Sequence, residues 1–336
     1  MKKLRRNITA GVLFALLIGI AYSNPAGGEG GPSGYTFTTP AQYREMVLTT
    51  PDASNAVEIT GHSAYHSSDW HIWEVSTFMA GRTVRLSPFK IARYETTYEL
   101  WYEVKQWAAS NGYTFANPGR EGHDGTGGAA PTSGAKTEPV TGITWRDAIV
   151  WCNAYSEMNG KDPVYYTGSG YGTVLRVSTN TRGTGTAADS AVMKPGALGY
   201  RLPTEAQWEY AARGGRTPAL TTPFTYAYAG SNTLNDVAWH HGNSPNGTHP
   251  VGEKAANTLG LYDMSGNAEE WCWDWFSRSI STGSESDPVG AASGTTRVLR
   301  GGSWDHAAAS LCEVSSRFNL NPYLHGEGLS FRVVCP

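Results

Sequence analysis

Past Gly215 the sequence carries almost no helical periodicity, and this constrains the fold more than any other feature. Turn-rich sequence runs from there to the C-terminus, broken by strand-like stretches at 296–300 and 329–334. Forty glycines and twelve tryptophans among 336 residues fit many turns around an aromatic core and exclude a helical bundle.

Helical spacing is concentrated in three earlier segments. In TVRLSPFKIARYETTYELWYEVKQWAAS, from residue 83, alternation suits a strand and gives way to helical spacing behind a Thr97 cap. TWRDAIVWCNAYSEMNG (144–160) is expected as a second helix, with Thr144 and Asp147 at capping-box spacing and Gly160 as its stop. PTEAQWEYAARGG (203–215) starts at Pro203-Thr204 and ends before Gly214-Gly215. A short helix is also expected within 39–50, with Thr39 as cap and Pro40 at its first position. The Gly-rich 117–136 reads as a loop, and 165–196 as a hairpin insertion.

The N-terminus predicts export. Lys2, Lys3, Arg5 and Arg6 precede an apolar run over 8–21, and Ala21-Tyr22-Ser23 suits cleavage after Ser23. The run is short for a membrane span, which needs roughly 20 residues, so no membrane insertion is expected once the signal is removed. Residues 24–34 read as a flexible linker, and the cell surface or periplasm as the destination. Cys152, Cys272, Cys312 and Cys335 have no zinc-site spacing; an oxidising compartment permits disulfides among them, in pairings the sequence leaves open. A formal net charge of −3 provides no broad basic field for nucleic acid.

The order of motifs is more specific than any one of them: FKIARYETTYELWYEV, PVTGITWRDAIVWCNAYS, RLPTEAQWEYAARGG, HPVGEKAANTLGLYDMSGNAEEWCWDW, VLRGGSW, then LSFRVV. This series resembles the formylglycine-generating, sulfatase-modifying-factor family over about 82–336. The resemblance implies an α+β, C-type-lectin-like fold: a small twisted antiparallel sheet, two main helices and many ordered loops. Residues 35–81 then form an N-terminal extension packed on that domain. Glu205 and Glu209, four apart on one helix face, are expected to pair with buried arginines such as Arg201 or Arg300, since unpaired buried carboxylates are costly. Trp208, Trp271 and Trp304 are expected in the core, and Gly301-Gly302 where backbones approach closely. The resemblance also implies calcium at Asn235, Asp236, Asn267 and Glu270; a purely structural loop is the alternative.

The family's oxidase uses two copper-binding cysteines five residues apart after GGS. Here those positions are His306 and Leu311, with Cys312 adjacent. A soft Cu(I) site needs two thiolates, so no catalytic residue is assigned; the alternative is a divergent copper oxidase using Cys312. His240-His241 and the looser group His62, His66 and His71 read as loop residues, and no GxSxG elbow marks a nucleophile.

Between 304 and 330 the family's frame is kept but its usual polar residues are not. Asp305, His306, Ala307, Ser310, Leu311, Ser316, Phe318, Leu320, Tyr323, Leu324, His325, Gly326, Gly328 and Ser330 occupy the intervening positions. The segment resembles the variable region of diversity-generating-retroelement target proteins, including a spirochaete variable protein built on this fold. Randomising the adenines of an AAC codon never produces Glu, Lys, Gln, Met or Trp, and none of these occurs at the fourteen positions. Glu313 and Glu327 then have to be fixed by the template or differently encoded. The implied function is a receptor-like, non-catalytic module whose C-terminal face binds a protein or glycan, with inward packing of the apolar residues as the alternative.

Overall fold

The computed structural model describes residues 35–50, 55–61, 76–215, 225–244 and 246–336. The expected signal, the whole of the expected linker, and His62, His66 and His71 lie outside them. Among the described residues no helix is long and apolar enough to cross a membrane.

The elements follow in chain order. Strands β1 (Met46–Leu48), β2 (Val57–Thr60), β3 (Arg82–Leu86) and β4 (Lys90–Ala92) precede helix α1 (Tyr98–Ala109). Next come β5 (Arg120–Glu121), β6 (Val140–Thr141), α2 (Trp145–Met158), β7 (Tyr165–Tyr166), β8 (Val192–Met193), α3 (Glu205–Ala212) and the single turn α4 (Leu234–Val237). The C-terminal part adds β9 (Glu269–Trp275), β10 (Gly283–Ser286), β11 (Arg297–Arg300), β12 (Arg317–Leu320), β13 (Leu329–Ser330) and β14 (Val334–Cys335).

The three main helices begin at the expected caps. Thr97 accepts from the Leu100 N–H, and both Thr144–Asp147 and Thr204–Gln207 close reciprocal capping boxes. The expected helix within 39–50 is a 3-10 turn at Ala41–Arg44, after which the chain extends. Extension wins because Met46, Val47 and Leu48 pair antiparallel with Ala92, Ile91 and Lys90.

Sheet pairing is mixed. The central sheet runs β12-β11-β9-β13, with β13 parallel to β9 and the other pairs antiparallel. A second sheet, β10-β3-β2, contains a parallel β10–β3 pair, and β1-β4-β14 brings the two ends of the described chain together. The described strands before residue 62 are therefore sheet members, not a layer laid over a finished domain. The insertion at 165–196 is closed by β7 and β8, as expected of a hairpin.

Aromatic packing joins the helices to the C-terminal sheet. Trp101 of α1 and Trp151 of α2 stack 6.0 Å apart, and Phe331 meets both edge-on, at 6.1 and 5.3 Å. Arg297 of β11 lies 3.4 Å from the Trp275 ring and 3.7 Å from that of Trp145. The C-terminal turns thus rest on a fixed core.

Candidate ligand-binding face

Three buried arginine–carboxylate pairs hold the C-terminal segment against the rest of the fold. Arg300 meets Glu209 at 2.6 Å and bonds the carbonyls of Ser316 and Val314, the latter at 3.0 Å. Arg317 grips Glu205 with 2.5 and 2.7 Å bonds. Arg332 meets Glu270, which also accepts 2.7 Å from the Trp208 indole N–H. Burial pushes the Glu209 carboxyl up, but Arg213 and Arg300 outweigh it and hold it down at about 2. Arg300 was an expected partner; Arg201 was the wrong candidate, since it bonds Gln207 and the Leu202 carbonyl instead.

The turn after β11 requires its glycines. Gly301 and Gly302 have φ of 96° and 71°, and a Cβ at Gly302 would come 2.6 Å from the Leu311 carbonyl oxygen and 2.9 Å from Cys312 Sγ. The Trp304 backbone N–H then donates to the Asn267 carbonyl at 3.0 Å. Its ring lies 5.3 Å from that of His123 and is half-buried. Trp208 and Trp271 are core residues as expected, but Trp304 lies beside the face, drawn there by this turn.

Beneath the turn lies a polar pair that sequence reasoning missed. His306 Nε2 is 3.9 Å from Glu269 Oε1, and the His306 ring packs 5.2 Å from Phe318. Glu269 is buried and its Oε1 has no hydrogen-bond partner among the described residues. Burial, with Asp305 nearby, pushes its carboxyl up to about 8; burial lowers the His306 imidazole. The signal was present in two consecutive acids on one strand, because adjacent β residues face opposite sides. Glu270 takes the Arg332 side, which leaves Glu269 to the other.

Most of the expected binding positions reach the surface. Asp305, Ala307, Leu324 and His325 are exposed, with Leu324 at 39%. His306, Leu311, Phe318, Leu320, Tyr323, Gly326 and Gly328 are half-buried. Ser310, Ser316 and Ser330 are buried, and this corrects the reading of them as contact residues. Ser316 Oγ donates to the Ser310 carbonyl at 2.6 Å, and Ser330 lies within β13 opposite Glu270. Gly326 and Gly328 also supply backbone carbonyls, to Gly142 and Glu269.

A groove of about 540 Å³ opens beside this segment, lined by Asn180, Arg182, Asn321, Tyr323, Leu324 and His325. Asn180 and Arg182 come from the insertion and had not been expected at the face. Their sequence signal was weak, as both lie in a polar, Gly/Thr-rich run.

The four calcium candidates are engaged separately. Both Glu270 oxygens bond Arg332. Asn267 accepts from the His249 N–H and donates to Glu95. Asn235 Oδ1 is bonded to His240 Nε2 at 2.7 Å, and Asp236 accepts from Ser231. Among the described residues no three His, Cys, Asp or Glu side chains gather as a metal site. All four cysteines are buried free thiols, so none of the disulfides that export permits is formed here. Burial pushes the Cys312 thiol up to about 12.

Comparison with known proteins agrees with this architecture. The model of the sulfatase-modifying factor enzyme 1-like domain matches residues 42–335. The chain is 32% identical to chaperone protein LppX of Paenibacillus barcinonensis, over 74% of this chain and 81% of that one. It is 34% identical to the formylglycine-generating enzyme of Thermomonospora curvata, over 66% and 73%. Treponema denticola variable protein 1 superposes with a TM-score of 0.64 at 31% identity, covering 86% of this chain and 99% of that chain. The fold is the C-type-lectin-like arrangement shared with such structures, and the chain belongs to the sulfatase-modifying factor enzyme 1-like family.

Proposed function

We propose that this protein is an exported, receptor-like binding module that uses the scaffold of an oxidase family without its chemistry, and whose face over 304–330 is diversified to bind a protein or glycan. One observation carries the reading. The two positions where the family's oxidase would place copper-binding cysteines are His306 and Leu311, and both reach the surface. The nearby Cys312 is buried and stands alone, whereas a soft Cu(I) site needs two thiolates.

The physical arrangement suits such a role. Buried ion pairs fix the backbone from β11 to β13, while aromatic, aliphatic and imidazole side chains project from it. Side-chain identity can then change at the surface with little effect on the fold, and preorganised side chains lose less entropy on binding. Similarity to a protein designated a variable protein supports this reading.

Three experiments test it. Sequencing the neighbouring DNA should find a near-copy of the segment encoding 304–330, differing only at adenines of the template, beside a reverse transcriptase gene. Absence of that copy removes diversification. For binding, a surface-displayed library varied at Ala307, Leu311, Tyr323, Leu324 and His325 should furnish saturable binders to different targets with an unchanged fold. Stoichiometric Cu(I) binding and oxidase activity that both depend on Cys312 would replace the binding reading with the enzymatic one.

A further inference from the structure

The insertion at 165–196 places a cation, Arg182, beside the variable segment on a backbone held at both flanking residues. Arg146 of α2 is fully buried and reaches out of the core into this insertion. Its guanidinium meets Asp189 at 2.9 and 2.8 Å. It also donates to the carbonyls of Thr179 at 3.0 Å, Thr181 at 2.7 Å and Gly183 at 2.5 Å. Those carbonyls belong to alternate residues, and the two residues between them, Asn180 and Arg182, line the groove with Asn321, Tyr323, Leu324 and His325. Arg182 is exposed and makes no ion pair among the described residues, and no lining residue is acidic. The groove is therefore locally positive on a chain of net charge −3.

The central sheet provides a second, independent observation. β12 is its outer strand: it pairs with β11 through Arg297↔Leu320 to Arg300↔Arg317 and with no strand on its other side among the described residues. An open edge presents unpaired N–H and C=O groups that an extended chain can complete. Phe318 and Leu320 on this strand are half-buried, and Asn319 is exposed. The chain then leaves β12 directly into the segment whose Asn321, Tyr323, Leu324 and His325 line the groove.

We infer that the ligand is an extended acidic peptide segment, which adds to the open edge of β12 and places a carboxylate on Arg182. This deepens the binding function proposed above and rests on it. The open backbone edge favours a peptide over a glycan, since a glycan has no N–H and C=O ladder to offer. Exposed Leu324 and the Tyr323 ring add contact for an aliphatic side chain. Because Arg182 lies outside 304–330, it would remain a constant charge anchor while the neighbouring residues vary.

The test uses the full mature chain and a short synthetic peptide of alternating Asp and Leu. Two control peptides carry Asn at every Asp, or N-methyl groups along the backbone. Titration calorimetry should show the acidic peptide binding at least tenfold more tightly than either control. Arg182→Glu should remove that preference without changing the melting temperature, and Arg182→Lys should restore part of it. Three results would each overturn the inference: no binding of the acidic peptide, equal binding of the Asn control, or unchanged binding to Arg182→Glu. Binders from the varied library separate this inference from the underlying reading. If they are lost when the selected residue at position 324 is replaced by Asp but kept with Arg182→Glu, the face binds ligands by another chemistry. If neither substitution matters, the face itself is not the binding site.

Discussion

Arg317 of β12 holds both carboxylate oxygens of Glu205 at 2.5 and 2.7 Å, so the outer strand of the central sheet is bolted to the first turn of α3. Both side chains are buried, and Arg300 also approaches Glu205 at 3.7 Å. Removing one member leaves an uncompensated charge in the interior, which costs about 3–5 kcal/mol. Glu205→Gln should lower the urea-derived stability by about that much. A loss below about 1 kcal/mol would show that the pair is not the anchor described.

The burial pattern divides the fourteen expected variable positions, and stability should divide the same way. Ala307→Asn and Leu324→Asn act on exposed side chains and should change stability by no more than about 0.5 kcal/mol. Ser316→Asn, equally accessible to the same codon chemistry, adds volume where Ser316 bonds the Ser310 carbonyl. Overpacking there should cost about 1–3 kcal/mol. Thermal melting of the three variants checks the division. A Ser316→Asn protein as stable as the others would return this position to the variable face.

The same division shows what could be read from the sequence. Capping residues and periodicity placed α1, α2 and α3, because these signals are local. No alternation marks β9 as a strand in the sequence, because six of its seven residues are buried. The spacing of Glu205 and Glu209 implies arginine partners, but only the fold determines that Arg317 and Arg300 reach them while Arg201 turns to Gln207. Leu311 and Ser316 fitted one codon rule equally well. A codon rule has no information about burial, and only the packing around the Arg300 guanidinium separates them.

The Glu269 carboxyl predicts a pH dependence. Its pKa is raised by burial, with Asp305 contributing, to about 8 in the folded chain, against about 4.3 when unfolded. The folded state therefore favours the protonated form. This contribution to stability is complete below the unfolded value and is lost as pH rises through about 8. Glu269→Gln should remove that slope, so that wild type loses on the order of a few kcal/mol more than the variant between pH 5 and pH 8.5. Parallel urea curves at the two pH values measure it, and equal losses in the two proteins would refute it.

Cys312 is one residue past a position that, by resemblance, would carry a catalytic cysteine, yet its environment silences the thiol. It is fully buried, with Gly302 packed closely against it, and burial together with Glu269 and Asp305 pushes its pKa up to about 12. Alkylation requires the thiolate and access to it. In the native protein Cys312 should therefore resist iodoacetamide at pH 8, and urea should expose it to rapid reaction. Because all four cysteines are free thiols, a reductant should leave the melting temperature unchanged. Cys312→Ala should weaken the fold through lost packing while leaving ligand affinity at the face intact. If native Cys312 is instead alkylated as fast as a free thiol, or if its loss abolishes binding, the division between a buried thiol and an exposed binding surface is wrong.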